Sequence, residues 1–480
     1  MTRLEFLPEK AKKFIREQIG PEKRKTTITD RAKQKKELEY FCQLVDIQVK
    51  KTRKLSLEFI GQDPTTYVKN QTNEEELESI IENYEEDETT QEIQEKIQNK
   101  HIQETNKEIN IKDIANYFKQ KGVIGEDELA IKIFLAASNN MSFGVEGYSG
   151  SGKTFIVDKL IDLFDEKDLY RLDLSSKMAV FYDSKNINSY KTIYIPELQK
   201  ALQETRSPIV EVVKNLTEGK DVKRIVTDYK KKGNQTFKIN KGKSIIYTLA
   251  AENYFKKDEE LNRRFLRFKT KHDEEHLNKI LNYKSSKREI ITLNDEETLK
   301  QDLKTLFNYL RNQNVKILDP YSTYINEFLP RTQKSIGYID HYFSLIDATT
   351  KYNHKNRQEL EHKGQKILIT DIEDHYLIHK LYYEEFLNTL KEFSKKNNFQ
   401  EELNIINEVQ QKNINWTNAT IKGQNIIKQK IPNIKTLNEE KISQYITDIK
   451  EKYKFLNSWI IPNNKELRLM ILNQSIIFNF

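Results

Sequence analysis

Cysteine is almost absent from this 480-residue chain, and its scarcity excludes several kinds of site. Cys42 is the single cysteine, so the chain cannot form an internal disulfide. One thiolate also cannot supply the ligands of a zinc finger or zinc ribbon. The eight histidines are scattered and offer no replacement cluster. We therefore expect neither a structural disulfide nor a cysteine-based zinc module.

Long apolar runs are missing as well. No stretch approaches the roughly 18 apolar residues that a membrane-spanning helix requires, and charged residues make up 32% of the chain. The N-terminus starts with charged residues, Arg3 and Glu5 among them, and lacks the apolar core of a secretory signal. We expect a soluble, cytoplasmic protein without a membrane partner. The net charge of +7 is modest for this size, so only local charge clusters indicate partners.

Composition divides the chain into five regions, as expected for a length beyond that of one ordinary domain. Residues 1–70 are rich in Lys and Arg and are predicted to form short helices with a basic face, whereas residues 71–110 form an acidic linker. Helices and short buried strands alternate in residues 111–282, which predicts an α/β domain with a mainly parallel sheet. Strands are expected to stop beyond this domain, leaving residues 283–395 helical. Residues 396–480 end in a hairpin that favours a winged helix.

Glycine is scarce, and four of the 14 glycines fall between Gly144 and Gly152. The segment fits the P-loop pattern G-x-x-x-x-G-K-[ST], with a predicted strand before it and a helix after it. Its residues are Gly147, Tyr148, Ser149, Gly150, Ser151, Gly152, Lys153 and Thr154. Backbone N–H groups of such a loop surround phosphates, Lys153 neutralises their charge and Thr154 ligates magnesium. The sequence predicts a site for ATP and Mg²⁺; a glycine-rich turn without a ligand is the weaker alternative.

The predicted strand Thr192–Ile195 ends in Pro196 and Glu197. Acidic groups at this end of a Walker B strand hold the magnesium environment and orient the attacking water. Glu197 suits the catalytic base. Pro196 stands where an aspartate is usual, so the ion would depend on Thr154, the phosphates and water, and slow turnover stays open. An exposed glutamate at a strand end is the alternative reading of Glu197.

An apolar strand, Ile245–Leu249, precedes Asn253 and the pair Arg263-Arg264. In this order behind a P-loop, these residues resemble those of AAA+ ATPases. The resemblance implies that Asn253 is the sensor-1 residue that positions water, and that Arg264 is the arginine finger that reaches a neighbouring subunit's ATP. Arg263 is the second candidate for the arginine finger. A solvated arginine pair is the alternative.

The same resemblance implies a helical lid after the α/β domain, with a sensor-2 arginine for which Arg331 is the candidate. Two β-prone runs also flank Lys230, Lys231 and Lys232 and predict a hairpin. It resembles the pre-sensor-1 hairpin of AAA+ DNA motors, which implies that these lysines contact single-stranded DNA in a central channel. A solvated turn is an equal alternative.

In the last region, Asn438–Tyr453 is predicted to be the recognition helix of the winged helix, with Lys441, Lys450 and Lys452 near DNA phosphates. A protein-docking module is the alternative. Trp459 and residues 467–472 would form the wing.

The resemblance is closest to minichromosome-maintenance-like helicases and to plasmid- and virus-encoded replication ATPases, and it covers residues 111–393. Two features depart from it. Residues 1–110 and a single cysteine cannot supply an N-terminal oligonucleotide-binding and zinc module, and the Walker B aspartate is replaced. We therefore expect an ATP-driven DNA helicase or translocase of a mobile element, acting as a homo-oligomer and most simply as a hexamer.

Two other functions stay open. A nucleotide-switched initiator, loader or transposition regulator would bind DNA without unwinding it, and a protein remodeller would use a similar ring on polypeptide. The N-terminal region is a candidate docking site for a primase or polymerase, or for DNA phosphates. The choice of DNA over RNA, the direction of movement and the number of subunits do not follow from the sequence.

Overall fold

The structure is a computed structural model, and it describes residues 109–172, 179–202, 207–228, 233–250, 259–287, 296–396, 400–431 and 433–456. Several predictions lie outside these residues: the N-terminal basic region, nearly all of the acidic linker, Lys230, Lys231, Lys232, Asn253, Trp459 and the wing at 467–472.

Strands and helices alternate in the first half of the described chain, up to Ser286, and three further strands follow in the second half. The strands are β1 (Phe143–Glu146), β2 (Leu169–Arg171), β3 (Thr192–Ile195), β4 (Val222–Asp228), β5 (Gly233–Ile239), β6 (Ser244–Leu249), β7 (Leu266–Lys269), β8 (Lys316–Leu318), β9 (Glu359–His362) and β10 (Gln365–Ile369).

The helices of the first half are α1 (Ile111–Gln120), α2 (Asp127–Ser138), α3 (Lys153–Ile161), α4 (Ala179–Tyr182), α5 (Ser184–Ile187), α6 (Gln199–Leu202), α7 (Pro208–Thr217), α8 (Glu259–Asn262) and α9 (Glu274–Ser286). They are followed by α10 (Glu296–Asn312), α11 (Ser322–Asn326), α12 (Gln333–Tyr352), α13 (Ile372–Lys396), α14 (Gln400–Gln411), α15 (Trp416–Lys430) and α16 (Glu439–Lys452).

Five strands form one parallel sheet in the order β2, β3, β6, β1, β7. This confirms the predicted α/β domain with a parallel sheet. β6 lies between β1 and β3, so one strand separates the strand before the glycine-rich loop from the strand before Glu197. Because parallel strands end on the same side, the loops after β1, β3, β6 and β7 meet at one edge, where open α/β sheets bind ligands.

Side chains alternate between the two faces of the sheet, and each face contributes to a different apolar cluster. In β6, Ile246 belongs to one cluster, and Ile245 and Tyr247 belong to the other. The first cluster includes α2, which is buried from Leu129 to Ser138. A helix that is apolar on nearly every side is expected to lie inside a protein rather than on its surface.

The second half is mainly helical, but the prediction that strands stop beyond about Asn282 is wrong. β8, β10 and β9 form a small sheet in that order, with β9 and β10 antiparallel. Lys363 and Gly364, with φ of 53° and 73°, form the two-residue turn between β9 and β10. A turn with both central residues at positive φ suits the twist of a hairpin. The Lys-Gly pair was the local signal for this hairpin.

One apolar cluster runs through both halves of the described chain. Phe134 of α2, Phe307 of α10 and Tyr342 of α12 all belong to it. Residues in and just after α16 also join it, since Ile446 and Ile449 are buried while Tyr445 and Phe455 are partly buried against it. The helical segments therefore share their core with the α/β part. None of the helices within the described ranges combines the length and the apolarity needed to cross a membrane.

Gly144 is expected to be essential for the packing of three strands. It lies opposite Tyr247 of β6 and Arg267 of β7, and an added Cβ would lie 1.9 Å from Tyr247 Cζ. We predict that Gly144→Ala lowers the free energy of unfolding by about 1–3 kcal/mol, because the core would be overpacked.

Urea unfolding would measure this effect, with Gly337→Ala as the matched control. The added Cβ at Gly337 meets only ordinary contacts, at 3.9 Å, and alanine favours the helix by about 1 kcal/mol. Equal destabilisation by the two substitutions would contradict the packing role of Gly144.

Candidate functional site

The glycine-rich loop begins one residue after β1 and ends at the first turn of α3. Gly147 N–H donates to Leu249 O of β6 at 3.2 Å, and Ser151 N–H donates to Tyr148 O at 3.2 Å. Gly150 and Gly152 have φ of +82° and +81°, values that glycine adopts without steric cost. Gly152 caps α3. The loop thus turns its backbone around the N-terminus of a helix, which favours anions.

Lys153 is held inside the loop. Its side chain is 6% exposed, and Nζ donates to Tyr148 O at 3.0 Å. Burial lowers the pKa of Lys153, while the negative charge of Glu197 acts in the opposite direction. Burial disfavours a cation unless an anion is nearby, so this ammonium group is suited to receive a negatively charged ligand.

Glu197 is placed at the same edge of the sheet by its contacts with β6. Its N–H donates to Thr248 Oγ1 at 3.1 Å, and Leu198 N–H donates to Thr248 O at 2.9 Å. Its φ of +54° is left-handed, a backbone conformation that is uncommon for non-glycine residues and that clusters at functional sites. The carboxylate pairs with Lys200 and is about half exposed. The structure therefore brings Glu197 and Lys153 together, although β1 and β3 are not neighbours.

Thr270 fixes the loop from the opposite side. Its N–H donates to Glu146 O at 3.0 Å, and its hydroxyl donates to Ser151 Oγ at 2.8 Å. A Cβ on Gly147 would lie 2.2 Å from Thr270 Oγ1, so only glycine permits this approach. Sequence reasoning missed Thr270 because no local pattern connects the end of β7 to the loop. It also missed Thr248, for which a threonine inside an apolar strand was the available signal.

A buried ion pair lies directly behind the loop. Arg267 of β7 donates two hydrogen bonds to the Glu146 carboxylate, at 2.8 and 2.7 Å. Tyr247 O–H donates to Glu146 Oε1 at 3.0 Å. Burial raises the pKa of Tyr247 well above its ordinary value, so the phenol stays a donor. These groups surround the residue that precedes Gly147 and hold the end of β1.

The ligands available to a magnesium ion are few. Pro196 supplies no carboxylate, and Thr154 is partly exposed in the first turn of α3. Within the described ranges, no group of three or more acidic, histidine or cysteine side chains is arranged to hold a metal. A magnesium ion at this edge would therefore need oxygen atoms from its nucleotide and from water.

The two arginines of the predicted finger have different surroundings. The Arg264 guanidinium donates to Lys214 O and pairs with Glu218, both at the end of α7, and its side chain is 7% exposed. Arg263 is exposed, and its carbonyl accepts from His341 Nε2 at 2.8 Å. Arg264 is thus engaged within its own chain, whereas Arg263 faces solvent.

The remaining predicted residues lie at other places. Arg331 is exposed directly before Thr332, the N-cap of α12. Lys441 and Lys450 of α16 are exposed, but Lys452 Nζ pairs with Glu373 Oε1 at 2.5 Å. The predicted hairpin is present as β4 and β5, which are antiparallel over seven residue pairs.

Comparison of the chain with protein-family models gave no match, and comparison with curated proteins gave none either.

Thr248 is expected to hold the backbone of Glu197. Thr248→Val keeps the shape of the side chain but leaves the Glu197 N–H without its acceptor. We predict a loss of about 1–3 kcal/mol in the free energy of unfolding, the usual cost of an unsatisfied buried donor. Thr447→Val on the exposed face of α16 is the control and should change stability by no more than about 0.5 kcal/mol. An unchanged unfolding curve for Thr248→Val would show that this hydrogen bond is dispensable.

Proposed function

We propose that this chain is an AAA+ ATPase that binds ATP and Mg²⁺ at the loop Gly147–Thr154. The observation that carries the proposal is the conformation of this loop: two left-handed glycines lead into a helix N-terminus, and Lys153 is buried in the first turn of that helix. A loop of this kind favours a phosphate. Glu197, which follows β3, lies close enough for its charge to act on Lys153, as expected of a residue that acts on the terminal phosphate.

The residues of the loop fit a triphosphate. Lys153 would exchange its bond to Tyr148 O for phosphate oxygens, which would stabilise the buried cation. Thr154, in the first turn of α3, would hold Mg²⁺ together with phosphate oxygens and water, and the ion would neutralise charge on the phosphates. Tyr148 is half exposed at the loop surface, and its ring lies 4.9 Å from that of His272.

Glu197 is the proposed general base. Its backbone is fixed by Thr248, but its carboxylate is held by Lys200 at the surface. To accept a proton from the attacking water, the side chain must leave Lys200 and turn toward the loop. Exposed ion pairs contribute little free energy, typically about 0–1 kcal/mol, so breaking the pair with Lys200 for this rotation costs little free energy. Lys200 thus restrains the base without blocking it.

The strand order supports the AAA+ assignment. In the order β2, β3, β6, β1, β7, β6 leads toward Asn253. It lies between β1, which precedes the loop, and β3, which precedes Glu197. A sensor-1 residue that positions water near the γ-phosphate is expected to follow a strand beside both of these, and β6 is that strand. The proposed finger is one of the adjacent arginines, and exposure favours Arg263, because Arg264 would first have to leave Glu218. Arg331 is the proposed sensor-2 residue, on a lid formed by the following helices.

The broader proposal is a motor that moves on DNA as a homo-oligomer, most simply a hexamer. Lys230, Lys231 and Lys232 would lie at the tip of the β4–β5 hairpin, and the exposed Lys223 and Lys238 lie on its strands. Positive charge along a hairpin suits contact with the phosphates of single-stranded DNA. We further propose that α16 belongs to a winged helix and that the chain acts in the replication of a plasmid or virus.

Substitution of the two central residues tests the ATPase. Lys153→Ala should abolish ATP binding, since it removes the cation inside the loop. Glu197→Gln should retain binding and lower turnover by about 10²–10⁴-fold, the usual contribution of a general base. Binding would be measured by titration with a fluorescent ATP analogue and turnover by phosphate release. Lys185→Ala, on the exposed face of α5, is the control. Normal ATP binding by Lys153→Ala would contradict the site.

A second function is favoured by Pro196, which stands where a Walker B strand usually has an aspartate. The missing carboxylate suits slow turnover, as in a nucleotide-switched protein that assembles on DNA without unwinding it. A strand-displacement assay, run with measurements of ATP turnover and of native mass, separates the two functions. The motor predicts a ring, turnover stimulated by single-stranded DNA and displaced strand. ATP-dependent assembly with neither stimulation nor displacement would favour the switch.

A further inference from the structure

β7 is an edge strand of the parallel sheet, and the helix α13 contacts it through Tyr382, Glu385 and Glu392. Lys269 N–H, at the end of β7, donates to Glu385 Oε1 of α13 at 3.0 Å. A side-chain carboxylate thus takes the place that a sixth strand would fill. Unpaired N–H groups on an edge strand otherwise attract other strands or water. The contact fixes α13 against the end of the strand that borders the loop.

Further ion pairs extend this contact into the interior. Glu385 Oε2 lies 2.5 Å from Lys132 Nζ of α2. Glu392, two turns along α13, lies 2.8 Å from Lys269 Nζ and 3.7 Å from Arg267 Nη1. Together with the bidentate pair behind the loop, this gives a network of three carboxylates and three cations: Glu146, Glu385, Glu392, Lys132, Arg267 and Lys269. Opposite charges are therefore balanced across it.

The network reaches the glycine-rich loop by two routes, both through β7. Arg267 holds Glu146, the residue directly before Gly147. Thr270, directly after Lys269, holds Ser151 inside the loop. A displacement of β7 relative to β1 would disturb both contacts together. The position of α13 and the conformation of the loop are therefore mechanically connected.

We propose that Glu392 and Glu385 are positioning residues, through which α13 sets the conformation of the loop Gly147–Gly152 and responds to its occupant. The part of this inference that concerns a bound nucleotide rests on the proposed function. Glu392 is the better residue to test, because its side chain is 25% exposed and little apolar surface depends on it. Coupling of this kind changes binding by about 5–150-fold in known systems.

Hydrogen exchange in the nucleotide-free protein tests the connection directly. Glu392→Gln keeps the size of the side chain and removes its charge. We expect the amides of Gly147–Gly152 to exchange about 5-fold faster or more. The control is Glu402→Gln, since Glu402 of α14 is a partly buried carboxylate that pairs with Lys334 and accepts from Ser394 of α13 at 3.3 Å, but has no contact with β7 among the described residues. This control should leave exchange in the loop unchanged.

A double-mutant cycle with Thr270→Val tests the route. If Glu392 acts through Thr270, the double variant should show less than the sum of the two single effects. Additive effects would assign the connection to the other route, through Arg267 and Glu146, whereas faster exchange confined to α13 and β7 would overturn the proposal. Should Glu392→Gln fail to fold, Glu392→Asp keeps the charge with a shorter reach, and the same comparison applies.

Nucleotide affinity provides the second measurement. With a fluorescent ATP analogue, Glu392→Gln should raise Kd about 5-fold or more, and KM should rise with little change in kcat. Unchanged affinity together with unchanged loop exchange would overturn the positioning role. If the wild-type chain binds no ATP, the proposed function fails, while the exchange experiment still decides whether Glu392 positions the loop.

Discussion

Glu146 and Arg267 form a bidentate ion pair inside the protein, one residue before the glycine-rich loop. Their side chains are 0% and 5% exposed. Removing two charges from water costs several kcal/mol per ion, so the pair is tolerable only with complete hydrogen bonding, to which Tyr247 contributes. Gly144 leaves room for the Tyr247 ring to lie across β1, since a Cβ on Gly144 would lie 1.9 Å from Tyr247 Cζ. A shift of one residue in strand pairing would separate these groups, so the pair also specifies the register of β1, β6 and β7.

The candidate site depends on that register. Thr248 at the end of β6 holds Glu197, and Thr270 beyond β7 holds Ser151. Each threonine contacts a residue that follows a different strand of the sheet. Neither would contact its partner if the strands were paired differently. Lys153 and Glu197 lie close enough for the charge of Glu197 to act on Lys153, because the loops after parallel strands share one edge. The chemistry we propose therefore rests on sheet geometry as much as on the loop itself.

The helical half is part of the same mechanical unit. Its apolar residues share a cluster with α2 and β1, and Glu385 and Glu392 of α13 extend the charge network of the sheet. In contrast, Arg264 is held within the α/β part by Glu218. Any arrangement that uses Arg264 between subunits must break this pair. Exposed Arg263 meets no such cost, which distinguishes it from Arg264, the residue that the resemblance favours.

The sequence by itself determined the features that depend on contiguous residues. The glycine-rich turn, the strand before it, the helix after it and the strand ending before Pro196 and Glu197 were all predicted, because turns that need glycine and buried strands leave local patterns. The small sheet of β8, β10 and β9 was missed, although Lys363 and Gly364 mark its hairpin. Tertiary structure alone decided the partners of Glu146, which are 101 and 121 residues away in sequence. It also decided the partners of Glu197, Ser151 and Arg264. These contacts follow from strand order and helix packing, which bring distant residues together and which no local spacing encodes.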